Sequence, residues 1–287
     1  MLRDLSTTQT FLLSAIFPVS YVASIYLRSA SRLSFSSSQG KPLRGRDDQG
    51  VIKARLLAVS LSTLLSVVIV TVLNWTCSRP PARFQASILS TWSLLGFGLP
   101  HPLITPHLLA PLLYLGPLYG LFLSRSLPLQ ERSSFQDYRA TLSQWQGIRN
   151  YLAAPITEEI VFRSCILAVG ISSGRSSRSL IFLSPLWFGV AHLHHAWEVF
   201  QRNGKDSRAL TQALTTCAFQ LVYTTLFGWY SCYLFIRTGS VWPSISAHIF
   251  CNTLGLPQLC WDMRVHRDRK QSTVIRQRVS LESEHLK

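Results

Sequence analysis

The sequence predicts an all-α, polytopic membrane protein with seven to eight transmembrane helices. Only 14% of the 287 residues are charged and the mean hydropathy is +0.21, a low charge for a soluble domain. The apolar residues are gathered in long runs, and the charged residues are packed between those runs. Because about 20 apolar residues in a helix cross the core of a bilayer, the runs indicate membrane helices.

Two runs near the N-terminus have the length of a membrane helix. They are TFLLSAIFPVSYVASIYL at 10–27 and LLAVSLSTLLSVVIVTVLNW at 56–75. Small residues near Ala23 resemble a signal-peptide cleavage site, but the first run is long for a signal peptide, so a retained helix is favoured. Residues 28–55 are rich in serine, glycine and charge, which is typical of a flexible loop.

Five further apolar runs, separated by proline, glycine, serine and charge clusters, predict the remaining spans. They are 102–123, 151–173, 179–197, 209–236 and 240–257. A break of the 209–236 run near Gly228 would give an eighth span. Residues 84–98 are a candidate for a helix that lies along the membrane interface.

The net charge of +15 would suggest a nucleic-acid partner in a soluble protein, but here the basic residues flank the apolar runs. The positive-inside rule places the basic loop and the basic tail in the cytosol, which requires an odd number of spans. Arg175 and Arg178 would then lie outside and depart from the rule. We therefore predict a membrane-lipid environment and no nucleic-acid partner.

Charge and hydropathy together predict the organisation of the chain. The predicted parts are N-terminal transmembrane helices at 1–123 with a basic cytosolic loop at 28–55, a cytosolic connection at 124–150, a transmembrane core that carries the site at 151–260, and a basic solvated tail at 261–287. The six cysteines form no CxxC pair and mostly lie within apolar runs, so free, buried thiols are expected.

Three apolar segments contain polar or ionisable residues, and such groups at membrane depth usually face a partner or a water-filled cavity. The segments are EEIVFR at 158–163, FGVAHLHH at 188–195 and HIFCN at 248–252. Each contains a pair of residues four apart, which share one face of a helix. The pairs are Glu159 with Arg163, Phe188 with His192, and His248 with Asn252.

These residue types suit hydrolysis of an acyl bond. A bidentate contact between Glu159 and Arg163 would neutralise both charges in a low dielectric. Glu158 is then left unpaired, and a carboxylate in an apolar setting is a stronger base than one in water, which suits a general base. His192 would hold the same water or shuttle its proton, and His248 and Asn252 would offer donors to an oxyanion.

Each motif also has a structural explanation. Adjacent glutamates at a helix start often complement the helix dipole, a membrane histidine is often a hydrogen-bond partner, and Asn252 is a residue that joins helices. The coincidence of all three motifs favours the catalytic interpretation.

The same three segments carry a resemblance to a known family. RNYLAAPITEEIVFRS resembles the EExxxR motif, WFGVAHLHHAWE the FxxxH motif, and FGWYSCYLFIRTGSVWPSISAHIFCNTLG the HxxxN motif of the eukaryotic type II CaaX prenyl endopeptidase, the Ras-converting enzyme. This enzyme belongs to the glutamate-type intramembrane protease superfamily. The resemblance covers the C-terminal half of the chain, and no motif position is substituted.

The resemblance implies a catalytic cavity inside the helix bundle and removal of the aaX tripeptide from a farnesylated or geranylgeranylated CaaX protein. It implies that Glu158 is the catalytic base, that His192 helps to activate the water, and that His248 and Asn252 stabilise the oxyanion. Glu159 and Arg163 match motif positions, and we assign them an orienting role. No metal or other cofactor is implied.

The resemblance also implies partners and a location. The partners are prenylated CaaX proteins such as the Ras-type small GTPases, and the location is the endoplasmic reticulum membrane, with the active site open to the cytosolic side.

Two alternatives remain open. The stretch HLHHAWE offers His192, His194, His195 and Glu198 as zinc ligands, although no HExxH is present. Placement of His194 and His195 at the interfacial end of a span is the simpler explanation of these two residues. The second alternative is a non-catalytic membrane scaffold with the same fold.

Overall fold

The structure, a computed structural model, describes residues 5–35, 44–77, 84–130 and 135–256, and within these ranges the chain is helical and has no β-strand. The all-α class is thus confirmed. The helices are α1 (Thr7–Leu27), α2 (Gln49–Thr76), α3 (Phe84–Leu94), α4 (Thr105–Leu113), α5 (Leu115–Leu123), α6 (Phe135–Ser143), α7 (Trp145–Ile148), α8 (Ala154–Glu159), α9 (Ile166–Ser172), α10 (Ser177–Leu183), α11 (Pro185–Ala191), α12 (His194–Arg202), α13 (Ser207–Thr238) and α14 (Trp242–Leu254). Residues 36–43 of the predicted basic loop, Cys260 and the tail predicted at 261–287 lie outside the described residues.

Helices α1 and α2 are long and apolar enough to cross a membrane. A capping box begins α1: Ser6 Oγ accepts a hydrogen bond from Gln9 N, and Gln9 Oε1 accepts one from Ser6 N. Asp48 caps α2 by accepting a hydrogen bond from Val51 N. The two helices pack against each other and leave many large apolar side chains exposed, as lipid-facing helices do.

Helices α4 and α5 form a bent pair with an angle of 69° between them. The break falls at Tyr114, whose ring packs edge-on against Phe250 of α14. By length and composition, the described residues therefore contain two membrane-spanning helices, or three if the bent pair is one broken span.

One continuous rod runs from residue 145 to residue 172 and contains two π-helical segments. These segments, Arg149–Ala153 and Ile160–Cys165, lie on either side of α8. A π-helical segment has one extra residue per turn and is often found at functional sites. The second segment is almost fully buried and packs against α1, α2 and α11.

Helix α13 is a single helix of 32 residues. Asp206 caps its start, and Gly239, in the left-handed conformation at φ 63°, ends it. The helix continues through Gly228, so the break that we considered there is wrong. A Cβ atom on Gly228 would lie 2.5 Å from Cβ of Pro185, so the glycine allows α11 to pack closely against α13.

Helix α14 is attached to α13 by a buried hydrogen bond from Ser244 Oγ to the carbonyl of Ser231, at 2.9 Å. It also packs against α4 and α8. This packing places the HxxxN segment beside the EExxxR segment.

The five cysteines in the described part of the chain are all free, as predicted. Three of them are buried, namely Cys165, Cys217 and Cys232, whereas Cys77 and Cys251 are half-buried.

Candidate active site

Glu159 is the most highly connected side chain of the site and is fully buried, with 0% of its surface exposed. Its Oε1 accepts a hydrogen bond from His248 Nδ1 at 2.8 Å, and its Oε2 accepts one from Ser231 Oγ at 2.6 Å. The same Oε2 lies 3.1 Å from Nε of Arg163. A buried carboxylate is tolerated when it is paired and hydrogen-bonded, and all three contacts meet that need.

Arg163 is 1% exposed, and its charge is balanced in two ways. The ion pair with Glu159 is present, but through one contact rather than the bidentate one we predicted, and no guanidinium nitrogen makes a hydrogen bond of good geometry to the described residues. The guanidinium carbon instead lies 4.4 Å from the ring centre of Phe188 and 5.6 Å from that of Phe227. Contacts with two aromatic faces stabilise the cation further.

Glu158 points into a different environment from Glu159. Successive residues of a helix differ by about 100° in direction, so one of two adjacent glutamates can face the protein interior while the other faces a cavity. Glu158 lines the cavity described below, and its Oε2 lies 3.7 Å from His248 Nε2, too far for a direct hydrogen bond. Its carboxylate thus remains available to another molecule.

The hydrogen bond to Glu159 determines the orientation of the His248 ring. An ionised carboxylate only accepts hydrogen bonds, so the hydrogen on His248 Nδ1 points to Glu159 and Nε2 points towards Glu158. The rings of Phe227 and Phe188 border the imidazole at centroid distances of 4.8 and 6.2 Å. His248 therefore connects the buried carboxylate to the one at the cavity.

In the FxxxH segment, the backbone and the ring of Phe188 both contact the His192 imidazole. The Phe188 carbonyl accepts a hydrogen bond from His192 Nδ1 at 2.7 Å, which leaves Nε2 of the neutral ring as an acceptor. The Phe188 ring packs edge-on against the His192 ring at 4.7 Å while covering Arg163. One phenylalanine therefore positions the histidine and shields the buried arginine.

Asn252 is engaged with the backbone of the first π-helical segment. Its Nδ2 donates a hydrogen bond to the carbonyl of Asn150 at 2.9 Å. One amide hydrogen is used in this contact, and the other hydrogen and the carbonyl oxygen have no partner among the described residues.

The four residues predicted to contact substrate line one cavity of about 900 Å³. They are Glu158, His192, His248 and Asn252. Glu159 and Arg163 do not line it and lie behind its wall. The structure thus brings the six predicted residues together and divides them into a cavity-facing group and a buried group.

A second polar network surrounds Glu198, which is 4% exposed. Its Oε1 accepts hydrogen bonds from Tyr26 and Arg55, each at 3.1 Å, and its Oε2 lies 3.4 Å from His195 Nδ1. Within the described residues, one potential ligand atom each of His194, His195 and Glu198 lies within 4.8 Å of the others, a spacing that a metal ion would fit. His192 is not part of this group.

Sequence reasoning missed two contacts that fix the site. The first is Ser231, since a lone serine in an apolar helix carries no signal of a long-range partner. The second is the hydrogen bond between Tyr21 and Thr157, at 2.9 Å, which joins α1 to α8 immediately before the glutamates. A charged residue in an apolar run is energetically costly and therefore indicates a site. An uncharged hydroxyl group has no such cost and gives no such indication.

The fold and the site define an all-helical protein with helices able to cross a membrane and a buried acid–base cluster beside a cavity. The family model described as type II CAAX prenyl endopeptidase, Rce1-like, matches residues 140–254. This range includes all three motifs.

Curated relatives extend the similarity to most of the chain. A probable CAAX prenyl protease 2 of Schizosaccharomyces pombe is 31% identical over 252 residues, which are 88% of this chain and 82% of that protein. The CAAX prenyl protease 2 of Saccharomyces cerevisiae is 30% identical over 266 residues, covering 86% and 80%. The human CAAX prenyl protease 2 is 34% identical over 222 residues, covering 75% and 64%. The comparison with solved structures found no match.

The chain belongs to the CAAX prenyl protease 2 family.

The first prediction concerns Glu159→Gln, which removes the counter-charge of Arg163. Breaking a buried ion pair by changing one partner typically costs about 3–5 kcal/mol, because the remaining charge is buried without a partner. We expect a lower midpoint of thermal unfolding in detergent micelles. The double variant Glu159→Gln/Arg163→Met is the control, because it removes both charges and should regain part of the lost stability. Unchanged stability of the single variant would contradict the ion pair.

Proposed function

We propose that the Glu158 cavity carries out hydrolysis of the peptide bond that follows the prenylated cysteine of a CaaX protein. The chain is a peptide hydrolase of the CaaX prenyl protease type, as its family membership indicates. The observation that carries the mechanism is the division of the site, with Glu158 open to the cavity and Glu159 buried with Arg163.

In the proposed mechanism, a water molecule lies between the Glu158 carboxylate and His192 Nε2. Glu158 takes a proton from this water as the oxygen attacks the carbonyl carbon of the prenylcysteine. A C–O bond forms, and the carbonyl π electrons move to the oxygen. When the oxyanion collapses, the C–N bond breaks and Glu158 returns the proton to the leaving nitrogen. The products are a protein ending in prenylcysteine and a free aaX tripeptide.

We propose His248 and Asn252 as the groups that stabilise the oxyanion. Because the His248 Nδ1 hydrogen is directed to Glu159, Nε2 can donate to the oxyanion only when the ring carries both protons. Asn252 can use the amide hydrogen that Asn150 does not occupy. Glu159, paired with Arg163, orients His248, and neither residue takes part in proton transfer.

The wall of the cavity supports a lipidated substrate. Apolar side chains of α1, α2 and α13, among them Val22, Val59 and Phe219, line it together with the polar residues of the site. A prenyl group can lie against the apolar part while the peptide reaches Glu158. We propose Ras-type small GTPases among the substrates and the endoplasmic reticulum membrane as the location. We further propose that seven segments cross or enter the membrane and that the cavity opens to the cytosol.

Cleavage of a farnesylated CaaX peptide by purified protein in lipid vesicles tests this function. We expect Glu158→Gln and His192→Ala each to lower kcat/KM by at least about 100-fold, because each removes a group that acts on the attacking water. His101→Ala is the matched control, since His101 is exposed and does not line the cavity.

Full activity in both variants would contradict the proposed site. A wild-type protein that binds the peptide without cleaving it would favour the scaffold alternative. If His101→Ala lost as much activity as the two site variants, the losses would reflect the quality of the purified protein and not catalysis.

The zinc-hydrolase alternative has its own test, directed at His194, His195 and Glu198. Oε1 of Glu198 already accepts hydrogen bonds from Arg55 and Tyr26. We therefore expect cleavage to continue after treatment with 1,10-phenanthroline. Loss of activity on chelation and its recovery with added zinc would favour the metal mechanism.

A further inference from the structure

Three arginines line the same cavity as Glu158, and they differ in one respect. They are Arg46, Arg55 and Arg149. Arg55 is paired with Glu198 at 3.1 Å, and Arg149 is paired with Asp47 at 2.9 Å. In the part of the chain that the structure describes, no hydrogen bond or ion pair engages the Arg46 guanidinium. An arginine that lines a cavity and forms no ion pair with the described residues is suited to bind an anion.

Arg46 is held in place through its backbone. Arg149 Nη1 donates a hydrogen bond to the Arg46 carbonyl at 2.8 Å, while Arg149 Nε binds the Asn150 side chain at 2.8 Å. Gln146 Nε2 donates to the Asp47 carbonyl at 3.2 Å. These contacts fasten the loop before α2 to the rod that carries Glu158, so the Arg46 side chain extends from a fixed base.

Arg46 has both acidic and basic neighbours. Burial lowers the pKa of Arg46, the Glu198 carboxylate raises it, the guanidinium groups of Arg149 and Arg55 lower it, and the Asp47 carboxylate raises it. The side chain is nevertheless exposed, because it faces the open cavity. An anion that entered the cavity would offset the repulsion from the two neighbouring arginines.

The proposed reaction supplies such an anion. The aaX tripeptide ends in a free α-carboxylate, and three extended residues span about 10 Å. Arg46 and Glu158 line the same cavity, so a substrate bound there can reach both groups. Arginine binds carboxylates with two parallel hydrogen bonds and thereby fixes their direction.

We propose that Arg46 binds the C-terminal α-carboxylate of the substrate and so selects the bond three residues from the chain end. This inference rests on the proposed function and identifies the part of the substrate that sets the cleavage position. Arg149 is a positioning residue, because it acts on the substrate through the loop that carries Arg46.

The test compares two farnesylated CaaX peptides of one sequence, one with a free C-terminal carboxylate and one with a carboxamide. Both are assayed with wild type, Arg46→Gln and Arg44→Gln in phosphatidylcholine vesicles. Arg44 is the matched control, because it lies in the same loop, is exposed and does not line the cavity. A parallel set of vesicles contains phosphatidylserine. Comparison of the two sets shows whether Arg46 binds a lipid phosphate or the substrate carboxylate.

We expect wild type to prefer the free acid over the amide by about 10- to 100-fold in kcat/KM, mainly through KM. Arg46→Gln should lose this preference. Its kcat/KM on the acid should fall by about the same factor, and its kcat/KM on the amide should not change. Arg44→Gln should behave as wild type. The unchanged rate on the amide also shows that the Arg46 variant is folded.

Three results obtained with Arg46→Gln would overturn the inference. They are a preference that survives in Arg46→Gln, equal losses on acid and amide, and a loss that occurs only when phosphatidylserine is present. Cleavage of both peptides at equal rates by wild type would refute the role of Arg46 while leaving the proposed function intact. Cleavage of neither would refute the proposed function and this inference with it.

Discussion

The structure depends on one buried carboxylate, that of Glu159. It accepts hydrogen bonds from α13 and α14 and lies in contact with Arg163, one turn further along its own rod. An uncompensated charge at this depth would be strongly unfavourable, so these groups have to assemble together. The same contacts direct His248 towards Glu158. A requirement of stability, the neutralisation of a buried charge, thus determines the geometry of the site.

The two adjacent glutamates have different surroundings because of where the helix places them. They lie between two π-helical segments and differ by about 100° in direction, so Glu159 enters the interior while Glu158 faces the cavity. Aromatic rings complete the separation, since Phe188 and Phe227 contact both Arg163 and His248. The two rings thus lie between the Arg163 guanidinium and the cavity.

The sequence predicted which polar residues the structure brings together, and it predicted less of the fold. Charges in apolar runs are costly, so EExxxR, FxxxH and HxxxN stood out, and helical spacing predicted the Glu159–Arg163 pair. The contact proved not to be bidentate, because the aromatic faces of Phe188 and Phe227 take up part of the guanidinium. Spacing could not predict that His248 binds Glu159, since that contact depends on how α14 packs against α8.

Gly228 is a position whose structural role the sequence could not predict. A glycine in a long apolar run is equally consistent with a break and with close helix packing, and only the neighbouring Pro185 decides between them. The long-range hydroxyl contacts of Ser231 and Tyr21 likewise leave no pattern in the sequence. Local chemistry can be read along a chain, whereas contacts between distant segments follow from packing.

In the proposed mechanism, Glu159 acts on catalysis through His248. A double-mutant cycle in kcat/KM with Glu159→Gln, His248→Gln and the double variant measures this coupling directly. If Glu159 works by orienting His248, the double variant should be no less active than the weaker of the two single variants. Losses that multiply, as if the two residues acted independently, would contradict the account.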